Sequence, residues 1–372
     1  MKFFIYLLGY SIMAILSYII PKENGTVVFI DSLTKTDGKF TGNHKDLYLY
    51  MLRKPSKLKP CWLTQDKNIF TLLIKQDYPV VLFNKVTLFW FLLRANFLIT
   101  VSLGVQMPWG KFNVIQLWHG IGFKKIAVLA RSKAYFVTKS SKKLLFIIAS
   151  SDIDKQRKID SFGNQRVIIT GFPRNDIFFT DRLNVNEYKK NIGINANQRI
   201  ILFALSFTNQ YQFSTDFLVK LCDFLEEKNT FFLIKRHPLD GTPKLNTHYK
   251  YIRDVTSDIY DVQELLVATD FLITDYSSIV TDFALTERPI LFYLYDNDKQ
   301  AKSNNLYFDI HKITPGPFIY DENQLFEHLT NMAWFDDQNY KLKYHEFIER
   351  FHQFKDGNSS ARVLDQILKL RN

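Results

Sequence analysis

Residues 270–293 read DFLITDYSSIVTDFALTERPILFY, and this block limits the possible folds more than any other stretch of the chain. Two apolar runs, 270–274 and 289–293, flank a polar turn and a short helical stretch at 278–286. Short apolar runs of this kind, separated by a helix, are strands of a parallel sheet buried on both faces. The same rhythm recurs along the chain. Strand-like runs stand at 26–31 (TVVFID), 60–64, 97–102, 113–118 (NVIQLW), 144–150 (LLFIIAS), 166–171 (RVIITG), 199–204 and 230–235 (TFFLIK). Helical patterns fall at 45–53, 214–228 and 262–268, and the chain from 322 onward is helical and charged. Strands alternating with helices build βαβ units, and 372 residues suit two such lobes. The expected fold class is α/β: two Rossmann-like lobes with parallel sheets facing a central cleft. The expected division is an apolar segment at 1–22, lobes at 23–165 and 166–350, and a C-terminal helix at 351–372.

Ligands of open α/β sheets sit at the carboxyl ends of the strands, so polar residues just after each strand are the candidates for chemistry. The strand NVIQLW runs directly into His119-Gly120-Ile121-Gly122, followed by Lys124-Lys125. A histidine there titrates near neutral pH and suits a general base for an attacking hydroxyl, while glycine permits close backbone approach. A turn histidine hydrogen-bonded for purely structural reasons fits the same spacing. The strand TFFLIK ends in Arg236-His237-Pro238, where proline fixes the turn and the cation suits a pyrophosphate; a solvated basic strand end is the alternative. Thr274-Asp275-Tyr276-Ser277-Ser278 leads from a strand into a helix. Ser277 or Ser278 caps that helix, and its first amides attract anions. Asp282, four residues after Ser278, either faces solvent or supports this loop. Gly171-Phe172-Pro173-Arg174-Asn175-Asp176 forms a rigid turn in which Arg174 either forks onto phosphate or pairs with Asp176.

Composition narrows the partners. Lys and Arg number 48 against 37 Asp and Glu, a net charge of +11. That favours an anionic partner, and no nucleic-acid motif accompanies it. Cys61 and Cys222 are far apart and in no metal spacing, which fits a reducing, cytoplasmic setting without disulfide or zinc. Residues 3–20 form an uncharged apolar run of 18, slightly short for a spanning helix of roughly 20. A helix in the membrane interface, a short anchor and a buried domain helix all stay open. Residues 86–93 (VTLFWFLL) are apolar on every face, so they are buried or touch lipid.

Taken in this order, LWHG with its following Lys pair, GFPRND, KRHP and the 270–293 block resemble the CDP-glycerol glycerophosphotransferases, which build teichoic acids and related capsule polymers. The resemblance spans about residues 113–317, and GKFTGNHKDLYLYM near the N-terminus shares it. It implies a GT-B-like fold, with 23–165 as the acceptor-side lobe and 166–350 as the nucleotide-donor lobe. His119 would be the base, with His237 as a second catalytic residue. Gly120, Arg174, Asn175, Asp176, Arg236, Thr274, Asp275, Tyr276, Ser277, Ser278 and Asp282 would form the donor and phosphate site. The donor would be CDP-glycerol or CDP-ribitol, the acceptor lipid-linked or polymeric, and the location the cytoplasmic face of the membrane. No cofactor or metal is expected, because the sequence carries no carboxylate cage. Two departures bear on the acceptor and polyol. Ile121-Gly122 replaces a usual Thr-Pro, and Leu205-Ser206-Phe207-Thr208 replaces a Pro-Thr-aromatic-Arg turn. A sugar transferase on the same fold and a non-enzymatic basic binding protein are the competing readings.

Overall fold

The computed structural model describes residues 2–30, 40–102, 110–130, 139–206, 211–236, 249–258, 261–296 and 306–370. The chain forms two compact units. The first holds residues 1–119, 126–176 and 356–372; the second holds 120–125 and 177–355.

The first unit is built on a seven-stranded sheet in the order β3-β2-β1-β4-β5-β6-β7, all pairs parallel. Its strands are β1 (Glu23–Ile30), β2 (Lys59–Thr64), β3 (Val80–Leu82), β4 (Ala95–Thr100), β5 (Val114–Gln116), β6 (Phe146–Ala149) and β7 (Val167–Ile169). The inner strands are buried on both faces, as expected of a parallel sheet covered by helices. Val28, Leu63, Leu98, Val114 and Ile147 lie in one core cluster. Burying each such side chain stabilises by roughly 1.5–3 kcal/mol relative to exposure.

The second unit carries a six-stranded parallel sheet, β10-β9-β8-β11-β12-β13. The strands are β8 (Arg199–Ala204), β9 (Thr230–Ile234), β10 (Ile252–Asp254), β11 (Phe271–Thr274), β12 (Ile290–Tyr293) and β13 (Phe318–Ile319). Phe203, Phe232, Ile273 and Leu291 meet in its core.

The structure corrects the lobe boundary. Residues 166–171, expected to open the second lobe, contribute β7 to the edge of the first sheet, where Ile147, Ile148 and Ala149 pair with Val167, Ile168 and Ile169. An apolar run cannot announce which sheet it joins, because parallel partners are fixed by crossovers rather than by local pattern. The final helix, Ser359–Lys369, groups with the first unit as well.

Helices of the first unit include α1 (Lys2–Ile19), α2 (Gly42–Arg53), α3 (Lys67–Lys75) and α4 (Lys85–Arg94). Met13 of α1 is buried, and Leu16 packs against the core. Ile12, Ile15, Tyr18 and Ile19 are exposed. Over its described side chains the apolar run is thus partly docked, between the interfacial and the buried readings. Among the described residues no helix is long and apolar enough to cross a membrane. The apolar run 86–93 within α4 divides in the same way. Leu92 and Leu93 are buried while Val86 and Trp90 stand 78% and 52% exposed.

Candidate active site

Strand register decides which loops meet at the carboxyl edge of each sheet. In the first sheet Thr100 of β4 pairs with Gln116 of β5, so the segments after them lie side by side. His119 sits there, exposed, with its ring stacked on Trp118 at a centroid distance of 4.1 Å. Its Nδ1 lies 3.2 Å from the Val101 carbonyl oxygen. A carbonyl only accepts, so this bond requires a proton on Nδ1 and leaves the neutral ring's lone pair on Nε2. That is the tautomer a general base needs.

The turn carrying His119 is held in an unusual backbone state. Trp118 has φ +54°, the left-handed region that costs a residue with a bulky side chain on the order of 1–3 kcal/mol. Its surroundings sustain this. The Trp118 amide donates to Gln116 Oε1 at 3.0 Å, and Gln116 Nε2 donates to the Ser102 carbonyl at 3.0 Å. The indole packs edge-on against Phe162. Asn43 Nδ2 donates to the carbonyls of Leu117 and Trp118 at 3.2 and 2.9 Å.

The GFPRND turn also belongs to the first unit, as the start of a 3-10 helix, Pro173–Phe179, that follows β7. Arg174, Asn175 and Asp176 are all buried. The Arg174 guanidinium stands 5.9 Å from the Phe172 ring centroid, and its amide donates to Asn43 Oδ1 at 3.2 Å. Asp176 takes the amides of Ser359 and Ser360 on its two carboxylate oxygens at 2.8 Å each. It caps the last helix, and a buried carboxylate so engaged does not serve as a phosphate ligand. Beside Arg174 lies a fully buried Lys158, paired to Asp154 at 2.6 Å and 4.5 Å from the Phe172 ring centroid. Burial lowers its pKa to about 8 against the pull of Asp154, with Arg157 and Arg174 adding to the fall. Sequence reading passed over Lys158 because its carboxylate partner is visible only as an i, i+4 pair on an ordinary helix.

In the second sheet Ala204 of β8 pairs with Thr274 of β11. The Thr274 hydroxyl donates to the Ala204 carbonyl at 2.7 Å, so it ties the strand ends together. Asp275 is buried and accepts the Ser206 amide and hydroxyl, both at 2.7 Å. Burial pushes its pKa up to about 6; the Ser206 hydrogen bonds, Lys124 and the Ser277 amide oppose the rise. Tyr276 is buried, its hydroxyl donating to Asp296 at 3.1 Å. Asp282 is buried beside Gln263, which settles its place as internal. Of this motif Ser277 and Ser278 are the half-exposed members. The helix behind them is short, Ile279–Phe283, continuing as a 3-10 turn at Ala284–Thr286. Ser278 makes no side-chain cap, and the Ile279 amide reaches Ser277 Oγ only at 3.5 Å. The expected capped helix is therefore a loosely started one, without a side-chain cap from Ser278.

Gly120, at φ +103°, opens the segment that groups with the second unit, where the Thr281 hydroxyl donates to the Ile121 carbonyl at 3.2 Å. Arg236 pairs with Asp254 at 3.5 Å. His237 lies outside the described residues, as do Phe207 and Thr208. The expected site residues thus fall into two groups. His119, Arg174, Asn175 and Asp176 stand in the first unit, while Gly120, Arg236, Thr274 to Ser278 and Asp282 stand in the second. Asn43 was not singled out, although it lies in the GKFTGNHKDLYLYM stretch.

Comparison with known proteins identifies relatives along most of the chain. The teichoic acid glycerol-phosphate transferase of Staphylococcus aureus is 24% identical, over 98% of this chain and 98% of that protein. The teichoic acid ribitol-phosphate polymerase TarK of the same organism is 27% identical over 69% of this chain, which spans about half (52%) of its length. A structure of a variant of the wall teichoic acid polymerase TagF matches with a TM-score of 0.81 at 20% identity, over 99% of this chain and 95% of that one. That likeness shows the fold, a GT-B-like pair of parallel-sheet units. Residues 12–369 match the family model of the CDP-glycerol:poly(glycerophosphate) glycerophosphotransferases, and the chain belongs to that family.

Proposed function

We propose that this enzyme transfers glycerol phosphate, or a related polyol phosphate, from a CDP-linked donor to a hydroxyl of a teichoic-acid-like acceptor, releasing CMP. The observation that carries this reading is His119, exposed at a strand end and held by the Val101 carbonyl in the tautomer of a base. Nε2 takes the proton of the acceptor hydroxyl as the oxygen forms its bond to the β-phosphorus. The bond from that phosphorus to the bridging oxygen breaks, and CMP leaves with the electron pair. Ser277 and Ser278 supply hydroxyl donors to the pyrophosphate, with Arg236 and its sequence neighbour His237 as its cationic side. Positioning and charge stabilisation do most of the work in such a transfer. Turnover needs no divalent metal and persists in EDTA.

The test is a donor screen with CDP-glycerol, CDP-ribitol and UDP-sugars on a membrane-derived acceptor, following CMP and UDP. CMP release with a CDP-polyol supports the reading; UDP release alone overturns it in favour of a sugar transferase. A folded His119→Ala variant is expected to lose at least about 10³-fold in turnover, within the span a positioned acid–base group and its alignment contribute.

The acceptor is membrane-borne, and the protein works as a peripheral protein on the cytoplasmic face, in teichoic acid or capsule polymer assembly. The support is that α1 packs beside α4 and that both helices expose apolar side chains. Ile12, Ile15, Tyr18 and Ile19 come from one helix and Val86 and Trp90 from the other. Arg94 lies 5.1 Å from the Trp90 ring centroid, a basic and aromatic rim of the kind that sits at headgroup level. Ile15→Asp together with Val86→Asp is expected to abolish flotation with anionic vesicles while leaving thermal unfolding unchanged. Undiminished flotation would overturn this part.

A further inference from the structure

Asn43 is 1% exposed, in the first turn of α2, which follows the first strand of its sheet. Both of its amide protons and one lone pair of its oxygen are engaged, and each of these three bonds goes to backbone rather than to another side chain. Nδ2 donates to the carbonyls of Leu117 and Trp118, and Oδ1 accepts the amide of Arg174. These three bonds cross 74, 75 and 131 residues of sequence. One buried side chain therefore joins three carboxyl-end segments, those after β1, β5 and β7. Two of the three carry residues with chemistry: His119 and Arg174.

The contact to Trp118 sits at the point of greatest consequence. Trp118 holds a positive φ immediately before His119, and its amide is already fixed to Gln116 Oε1. With its carbonyl fixed as well, by Asn43, both peptide planes of Trp118 are set. The second of these planes is the peptide bond to His119, so Asn43 determines the direction in which the histidine leaves the backbone. The ring then completes its own orientation by stacking on the indole and bonding to Val101. A primary amide is the one short side chain that both donates twice and accepts here. Aspartate would set carboxylate oxygens against two carbonyls, and alanine would leave all three backbone groups without their partner.

We propose that Asn43 is a positioning residue for the reaction: it aims His119 by clamping the Leu117-Trp118 turn and keys that turn to the Arg174 loop. The inference rests on the reading of His119 as the base, and the experiment separates the two. Turnover and donor KM are measured for the full-length protein and for Asn43→Asp, Asn43→Ala, His119→Ala and the two double variants, with thermal unfolding as the control for folding. Asn43→Asp is expected to lower kcat roughly 10²-fold with donor KM within about twofold, as a displacement of about 1 Å at a reacting group does. In the His119→Ala background the same substitution is expected to cost nothing further, because the aim of the base no longer matters once the base is absent. If His119→Ala keeps full turnover, the base reading fails and takes this one with it. If His119→Ala is inactive but Asn43→Asp is silent, or its loss multiplies with that of His119→Ala, the positioning role alone is overturned. Should Asn43→Ala fail to fold, the near-isosteric Asn43→Asp carries the decision. If that too unfolds, Asn43 is a folding residue and the proposal falls.

Discussion

Each of the two sheets ends in a loop that carries candidate chemistry, and the two loops are secured by opposite chemistry. In the first unit the Leu117–His119 turn is held by neutral amides, Asn43 and Gln116, within a region where His44 is buried and uncharged against Trp62. In the second the Asp275–Ser278 turn is held by a buried carboxylate that grips Ser206. An amide lock is indifferent to pH. A buried ionisable group makes its unit sensitive, with a sign set by whether burial disfavours a cation or an anion.

That difference predicts opposite responses to acid, the largest effect expected here. Burial lowers the His44 pKa from 6.5 to about 3, and among the described residues neither ring nitrogen has a hydrogen-bond partner. Between these values the unfolded chain binds a proton the folded one refuses, so the first unit loses stability as pH falls from about 6.5 toward 3. At 1.36 kcal/mol per tenfold change in acidity the full effect is about 5 kcal/mol. Asp275 goes the other way. Its pKa rises from 3.8 to about 6, so its contribution is fully present at low pH and is lost as pH rises through about 6. Hydrogen exchange read segment by segment from pH 7 to pH 4 should show β2 opening more readily and β8 closing more tightly. His44→Leu should abolish the first trend alone, and Asp275→Asn the second alone. Parallel behaviour of both strands in the native chain would break the comparison.

A smaller effect sharpens it. Asp176→Ala removes the two amide contacts on the helix Ser359–Lys369 and should cost about 1–2 kcal/mol, the usual worth of a helix cap. Exchange should rise in that helix and be unchanged in β8 to β13, whereas a donor ligand in the second unit would instead raise donor KM when altered.

Much of this molecule was legible before its structure. The apolar runs marked the strands, and the polar residues after them marked the loops where His119, Arg174, Ser277 and Ser278 stand, because strand burial and loop polarity are local properties of the chain. Roles within those loops were not local. Asp176 and Asp275 read as ligand residues in their motifs, yet one caps a helix that starts 183 residues later and the other holds a turn 69 residues earlier. β7 read as the opening of the second lobe and pairs instead in the first sheet.

What the sequence by itself determined is the alternating α/β order, the family and the position of the motif that carries His119, since periodicity and motif spacing survive without any knowledge of neighbours. What only the tertiary structure decided is which polar side chains face outward for chemistry and which are spent on the protein's own backbone. That division follows from strand register, which brings Thr100 beside Gln116 and Ala204 beside Thr274. A buried polar group must be paired, and the pairing partner is set by register rather than by sequence neighbours. Asn43 shows the consequence: an unremarkable residue in its own segment, it becomes the joint between two others.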